Sequence, residues 1–137
     1  MTLSNEIKQL LDGANFAHLA TLMPDGSPQS VPIWVGREGD RIIICTSETS
    51  LKGRNTRRDP RVALSLVDFR DPYAEIQVRG HVVERRPDPD CKVIDAISMK
   101  YTGKPFPWRE PAGRVALFIE VDKARYTKLP FEHAPTV

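Results

Sequence analysis

The sequence predicts a mainly β protein of the α+β class, built on an antiparallel barrel of six strands with short helices at its openings. Two observations support this prediction. Apolar segments with the patterning of strands follow one another along the chain, separated by turns rich in glycine, proline and aspartate. Three short stretches between them carry the signals of helices. Because a small barrel has a filled interior, we expect a ligand to bind outside it.

Six segments have the composition of strands: Phe16–Leu22, Gln29–Val35, Arg41–Thr46, Val62–Asp68, Ala74–Arg85 and Arg114–Arg125. The turn signal Met23–Pro28 joins the first two as a hairpin. Since Pro32 cannot donate to a strand ladder, the second strand is expected at a sheet edge or with a bulge. Three consecutive isoleucines, Ile42–Ile44, indicate that the third strand is buried on both faces. Gly80 suggests a bend in the fifth strand.

The helices are predicted from their caps and apolar stripes. Ser4 is expected to begin the first helix and Gly13 to end it. The third helix follows Pro87–Asp90 and carries apolar residues on one face. Between that helix and the last strand, Tyr101–Gly113 is predicted to be an ordered loop or a lid, and Leu129–Val137 a tail.

The second helix lies in the most basic part of the chain, Thr46–Arg61. Thr49 or Ser50 can cap it, and Asp59-Pro60 stops it. Its first amides would point toward the end of the third strand, where an anion could bind. The side chains that could add charge or hydrogen bonds there are Lys52, Arg54, Asn55, Arg57 and Arg58. The stretch therefore predicts a phosphate cradle, with a solvated basic face as the alternative.

Composition excludes several classes of protein. A chain of 137 residues suits one domain, and its net charge of +2 is too small to imply binding of nucleic acid. Cys45 and Cys91 lie far apart, which favours a reduced cytoplasmic protein, although the two could pair. The polar start Met1–Glu6 is unlike a signal peptide, and no apolar run approaches the roughly 20 residues that span a bilayer. We expect no membrane association.

Common catalytic motifs are missing from the sequence. His18, His81 and His133 lack the spacing of a zinc site, so no metal is predicted. There is no serine-hydrolase elbow, no phosphate-binding P-loop and no dinucleotide fingerprint. The carboxylates are scattered, and no catalytic residue can be named. A cofactor can carry the chemistry in such a protein, while the chain binds and orients it.

Three segments resemble, in order, the pyridoxamine-phosphate-oxidase-like superfamily of split-barrel flavin and deazaflavin proteins. They are A-T-L-M-P-D-G-S-P-Q-S-V-P-I-W-V, I-I-I-C-T-S-E-T-S-L-K-G-R-N-T-R-R-D-P-R-V-A-L and A-E-I-Q-V-R-G-H-V. Lys100–Trp108, K-Y-T-G-K-P-F-P-W, is similar to the branch that uses the deazaflavin coenzyme F420. The resemblance implies one split-barrel domain over 1–137, similar to FMN-binding proteins, with a core at about 14–127. The C-terminus lacks the arginine-rich substrate motif of a true pyridoxamine phosphate oxidase.

The resemblance also assigns cofactor-binding residues. Lys52 matches the lysine that meets the cofactor phosphate, and Thr46 and Ser47 sit at the adjoining strand end. The strand along the ring system matches Val31, Pro32, Ile33 and Trp34, and the basic helix matches Arg54 and Asn55. Some relatives carry an arginine where this chain has Ser50. The family's site lies between two subunits, so the side chains implied to reach the partner's cofactor are Arg79, Tyr101 and Trp108.

The resemblance implies a homodimeric oxidoreductase that moves a hydride between F420 and a small conjugated substrate. An FMN-dependent oxidase or reductase of the same fold is the alternative. A carrier that binds flavin or deazaflavin without turnover is a third interpretation.

Overall fold

The computed structural model contains one antiparallel sheet of seven strands and three helices, and it describes residues 1–109 and 112–134. The elements are α1 (Asn5–Asp12), β1 (Ala17–Leu22), β2 (Pro28–Ile33), β3 (Gly36–Glu38), β4 (Arg41–Ser47), α2 (Leu51–Arg58), β5 (Arg61–Val67), β6 (Ala74–Pro87), α3 (Lys92–Thr102) and β7 (Arg114–Lys128). The strand order is β2-β1-β5-β6-β7-β4-β3. The prediction of a mainly β protein with three helices is confirmed.

The sheet has one strand more than the six predicted. Gly36–Asp40 has the composition of a turn, but its first three residues form β3 and pair with Arg41–Ile43 of β4. Gly39, at a φ of 62°, makes this hairpin tight enough for so short a strand. Within the described residues, the edge strands β2 and β3 do not pair with each other, so the sheet is not closed into a six-stranded barrel.

Two local features of the strands agree with the sequence. The strand that contains Pro32 lies at an edge of the sheet, as a residue without an amide hydrogen requires. The register of β6 against β7 shifts between Arg79 and Gly80, where the bend was predicted. A Cβ on Gly80 would lie 2.2 Å from the carbonyl oxygen of Glu120, so the two backbones approach too closely for any other residue.

The long final strand joins the two halves of the sheet. β7 pairs with β6 over most of its length and, through its first six residues, with β4 on the other side. Ile42 and Ile44 face the main core, where α1 packs, while Ile43 faces a smaller cluster that contains Ile97 of α3. Burial of the third predicted strand on both faces is therefore confirmed. Each such side chain contributes about 1.5–3 kcal/mol by leaving water.

The caps place the helices. The Ser4 hydroxyl accepts from the amide of Ile7, so α1 begins where predicted. The carboxylate of buried Asp88 accepts from the amides of Val93 and Ile94 and so caps α3. Of the predicted loop and tail, residues 110, 111 and 135–137 lie outside the described residues. No helix in the described part of the chain is long and apolar enough to cross a bilayer.

Candidate functional site

A groove of about 620 Å³ lies where β2, β4, the start of α2 and the segment after α3 meet. The described residues that line it are Phe16, Pro32, Ile33, Trp34, Cys45, Thr46, Ser47, Lys52, Ile94, Ile97, Phe106, Trp108 and Arg114. Seven predicted cofactor-binding residues are among them. The described lining contains two cationic side chains and neither a carboxylate nor a histidine. The groove is therefore suited to a ligand with an apolar ring and an anionic group.

Ser50 builds the turn that leads from β4 into the helix beside the groove. Its hydroxyl accepts from the amide of Gly53 at 3.0 Å and donates to the carbonyl of Ser47 at 2.8 Å. The hydroxyl of Thr46 lies 2.7 Å away. Of the two caps that the sequence allowed, Ser50 is the one used. Its side chain is thus occupied in fixing the turn.

Gly53 was not singled out from the sequence, although this part of the site depends on it. A Cβ at this position would lie 2.2 Å from the Ser47 carbonyl oxygen, which no side chain could tolerate without displacement of the helix. The missing Cβ lets the helix rest directly on the end of β4. The only signal in the sequence was a glycine inside a helix, which usually weakens it and so requires a packing reason.

Lys52 is half-buried in the wall of the groove, and desolvation lowers the pKa of its ammonium group. No described residue forms a hydrogen bond or a salt bridge with this side chain. The neighbouring basic residues differ, because Arg57 pairs with Glu48 at 2.8 Å and Arg58 donates to the Leu22 carbonyl at 2.7 Å. Of the cations of the basic helix, Lys52 is therefore the one that lines the groove and has no partner among the described residues.

Arg85 of β6 supports the same helix, a role that no local pattern in the sequence indicates. Its guanidinium forms a salt bridge with Glu48, donates to Thr56 Oγ1 at 2.9 Å and donates to the Gly53 carbonyl at 2.8 Å. The pairing lowers the pKa of Glu48. Because Arg85 lies on β6, about 30 residues away from α2 in the sequence, only the folded sheet brings the two into contact. This network holds α2 in place and thereby fixes the position of Lys52 in the wall of the groove.

Two residues of the basic helix lie away from the groove. Arg54 is exposed. Asn55 is buried, and its Nδ2 donates to Thr21 Oγ1 at 3.0 Å while its Oδ1 accepts from Arg58 at 2.9 Å. Asn55 thus joins α2 to β1. The predicted site residues that do not line the groove of a single chain are Val31, Ser50, Arg54, Asn55, Arg79 and Tyr101.

A row of aromatic rings forms another part of the groove wall and continues behind it. Trp34 stacks on Tyr101 with ring centroids 5.1 Å apart and 7° between the planes. Phe106 meets Trp34 edge-on at 6.2 Å, and Trp108 meets Phe106 in the same manner at 5.2 Å. Asp95 of α3 accepts from the amide of Phe106 at 2.9 Å and so holds the segment after the helix in place. The rings of Trp34, Phe106 and Trp108 give the groove an apolar, aromatic lining against which a ring system could pack.

Arg114 is a further groove residue that sequence reasoning missed. Its guanidinium lies 4.9 Å from the centre of the Phe106 ring and donates to the Trp108 carbonyl at 2.9 Å. Its buried Nε has no hydrogen-bond partner among the described residues. The pairing of Ser47 with Arg114 across β4 and β7 places it there. Only knowledge that the third predicted strand pairs with the last could have identified it.

The chemistry available from the groove itself is limited. Burial raises the pKa of Cys45 to about 12, so its thiol stays protonated and is a poor nucleophile. Both cysteines are free thiols. The described residues form no group of three or more histidine, cysteine or acidic side chains that could hold a metal. The described residues of the groove can therefore bind and orient a ligand, but among them there is no acid–base pair.

Arg79 lies on a different surface. It is exposed on β6 and lines a second groove of about 620 Å³ with His18, Lys123 and Arg125. The described lining of this second groove contains small residues from β1 and β5 and no carboxylate. Like-charged side chains crowded on one sheet face repel one another, so this surface favours an anionic or hydrogen-bonding neighbour.

Comparisons with known proteins agree with this architecture. A solved F420 reductase is 30% identical, with 86% of this chain and 94% of that chain covered at a TM-score of 0.80. A conserved hypothetical protein from Mycobacterium tuberculosis is 25% identical over 98% and 93% of the two chains, at 0.79. General Stress Protein 26 from Bacillus anthracis shares the fold at 21% identity, covering 93% and 95%, at 0.69. None of the curated proteins matches the chain.

The profile of the pyridoxamine 5'-phosphate oxidase family matches residues 3–128, nearly the whole chain. This match includes the start of α2 with Lys52, the edge strand β2 with Trp34 directly after it, and the aromatic segment after α3. The chain belongs to the pyridoxamine 5'-phosphate oxidase family.

Proposed function

We propose that the chain is an oxidoreductase that binds the deazaflavin coenzyme F420 in the groove and transfers a hydride to or from a small conjugated organic molecule. One observation carries the proposal. Lys52 is a half-buried ammonium group without a described partner, in the wall of a groove that is also lined by aromatic side chains. A buried cation is retained against its desolvation penalty when it has an anion to bind.

The residues of the groove fit such a cofactor. Lys52 and the hydroxyl groups of Thr46 and Ser47 would hold its phosphate. The edge strand from Pro32 to Trp34 presents unpaired backbone on its outer side, against which the ring system would lie. The aromatic wall would exclude water from the ring.

The chain contributes binding and orientation in this proposal. A deazaflavin supplies two-electron hydride chemistry when it is bound. Orientation of two reactants within a dry groove can by itself account for a large rate enhancement. No described acidic residue or histidine lines the groove, so solvent is the source of any proton that the reaction needs.

F420 is placed ahead of FMN for two reasons. The sequence at the end of α3, with Tyr101 and Thr102 followed by glycine, is similar to the F420-using branch, and one similar solved structure is an F420 reductase at 30% identity. FMN as the cofactor of an oxidase or reductase is the second candidate, since the family as a whole is named for an oxidase. A carrier without turnover is the third.

A homodimer completes the proposal. The second groove gathers Arg79, Lys123 and Arg125 on a sheet face with small side chains, which suits close packing against another sheet. In such a dimer Arg79 would reach the cofactor bound to the partner, and the negative charge of that cofactor would offset the positive charge of Arg79. Sedimentation at several protein concentrations tests this part, with and without Arg79→Glu. A monomer at all concentrations would contradict it.

Titration of the purified protein with F420 and with FMN, followed by fluorescence, tests the cofactor assignment. We expect F420 to bind more tightly than FMN, and Lys52→Met to weaken binding by about 1–3 kcal/mol, as for loss of a hydrogen bond to a charged group. Lys92→Met, which removes an exposed charge from α3, is the matched control. Tighter binding of FMN would reverse the ranking of cofactors.

Turnover is tested separately. Reduced F420 should be oxidised when a panel of enones and quinones is added with the protein. If the cofactor binds but no member of the panel oxidises it, the carrier interpretation replaces the enzyme.

A further inference from the structure

Val35 is held at both of its backbone polar groups by two consecutive residues of α3. Its amide donates to the hydroxyl of Tyr101 at 3.1 Å, and its carbonyl accepts from Lys100 Nζ at 2.5 Å. Val35 is fully buried and lies between the end of β2 and the start of β3. Its backbone groups therefore depend on side chains, because a buried unpaired amide or carbonyl is costly.

The same two side chains also bind the end of α1 and the segment between α1 and β1. Lys100 Nζ donates to the carbonyl of Leu11 at 2.9 Å, and the Tyr101 hydroxyl donates to the carbonyl of Asn15. One short stretch at the end of α3 thus joins α1 to the connection between β2 and β3. A helix attached at so many points cannot shift without moving that connection.

The residue before Val35 is Trp34, which forms part of the groove wall. The ring of Tyr101 stacks on Trp34 on one side, and Lys100 Nζ lies 4.7 Å from the centre of the Tyr101 ring. Neither Lys100 nor Tyr101 lines the groove. Their contacts fix Trp34 through its stacked face and through the backbone of its neighbour.

We propose that Lys100 and Tyr101 are positioning residues, which hold Trp34 in the orientation that the ligand of the groove requires. This inference rests on the proposed function, since it assigns a role to residues behind the wall of that site. The end of α3 is already capped by Gly103, whose amide donates to the Met99 carbonyl. Lys100 and Tyr101 are therefore not needed for the cap, and their described contacts serve the backbone of Val35 instead.

A double-mutant cycle in ligand binding tests the inference. Lys100→Met and Tyr101→Phe are made in the wild-type chain and in Trp34→Ala, and F420 and FMN are titrated against each. We expect each variant to weaken binding about three- to tenfold in the wild-type chain and less than twofold in Trp34→Ala. Lys100 and Tyr101 are proposed to act on the ligand through the Trp34 ring, so they have little effect once that ring is removed. An equal loss in both backgrounds would refute the inference.

A second measurement needs no ligand. The chain has two tryptophans, so Trp108→Phe leaves Trp34 as its only tryptophan. In that background Lys100→Met should increase the quenching of Trp34 by acrylamide about twofold and reduce its near-ultraviolet circular dichroism. Lys100→Arg, which keeps a charged donor, should restore part of both signals, and exposed Lys104→Met is the control for charge. Unchanged quenching in Lys100→Met would refute the inference.

The two measurements separate this inference from the proposed function. If neither cofactor binds the wild-type chain, the proposed function fails, and the quenching of Trp34 alone decides whether Lys100 and Tyr101 hold it. If a cofactor binds the wild-type chain and Lys100→Met equally well, the proposed function stands and the positioning role is refuted.

Discussion

Gly53 and Ser47 are in such close contact that a Cβ on the glycine would lie 2.2 Å from the serine carbonyl oxygen. This contact sets the position of α2 against the end of β4, and with it the position of Lys52. The basic helix can serve the groove only because its third residue has no side chain.

Gly53→Ala should therefore impair both stability and binding. The added methyl forces the helix away from the strand, and overpacking of this kind costs about 1–3 kcal/mol of unfolding free energy. Chemical denaturation and titration with F420 measure the two effects. Gly26→Ala is the comparison, because its Cβ would meet nothing within 4 Å although its φ is 85°. It should lose about 1 kcal/mol through strain alone and keep its affinity for the cofactor. If Gly53→Ala loses no more stability and affinity than Gly26→Ala, the contact between Gly53 and Ser47 does not determine the position of α2.

Much of this fold can be predicted from the sequence, because local chemistry determines it. Ser4 as the first cap, Pro32 at a sheet edge and the bend at Gly80 each follow from what one residue can or cannot do. The three-residue strand β3 could not be predicted, since its composition is that of a turn.

The site was predicted only in part, for a related reason. Lys52 and Trp34 could be assigned from neighbouring residues and from the family resemblance. Arg85 and Arg114 enter the site through strand pairings between distant segments, which no local pattern reveals. Asn55 shares the basic segment but is directed into the protein, because the helix places every side chain about 100° from the one before.

Asn55 should prove to be a structural residue. Asn55→Leu leaves the hydroxyl of buried Thr21 without its donor and removes one of the two acceptors of the Arg58 guanidinium, so we expect a loss of about 1–3 kcal/mol of unfolding free energy. The affinity for F420, measured under conditions where the variant is folded, should change less than threefold. Gln9→Leu, an amide lost from an exposed helix position, is the control and should change neither quantity. A large loss of affinity without loss of stability would mean that Asn55 contacts the ligand, as the family resemblance implies.

Binding should weaken as the pH rises, because of Lys52. Desolvation lowers the pKa of this ammonium group below its ordinary 10.5, and a bound anion raises the pKa again. Affinity for FMN is therefore complete at neutral pH and is lost as the pH rises through the lowered pKa. Lys52→Arg remains charged throughout, so its affinity should be flat between about pH 7 and 9.5.

A second group can titrate in this range. Burial lowers the pKa of Lys100 to about 8, with Asp12 acting in the opposite direction. If the pH dependence persists in Lys52→Arg and disappears in Lys100→Met, the titration belongs to Lys100 and the assignment to Lys52 is wrong.

Acid should destabilise the protein through Glu48. The Arg85 guanidinium lowers the pKa of this carboxyl, so the folded state holds its proton less readily than the unfolded state does. The stabilisation by this pair is therefore complete above the ordinary pKa of 4.5 and is lost as the pH falls through the lowered value.

Arg85→Met should reduce the free energy of unfolding at pH 7 by about 1.5–3 kcal/mol, as for a hydrogen-bonded charged pair. Its stability should also fall less steeply than that of the wild type between about pH 5 and 3. Arg61→Met is the matched control, since it removes a salt bridge to Asp59 that lies at the surface and is expected to contribute little to stability. Equal losses in the two variants would mean that Arg85 adds no more than a surface pair, and that other contacts of α2, among them those of Gly53, Ser50 and Asn55, hold it in place.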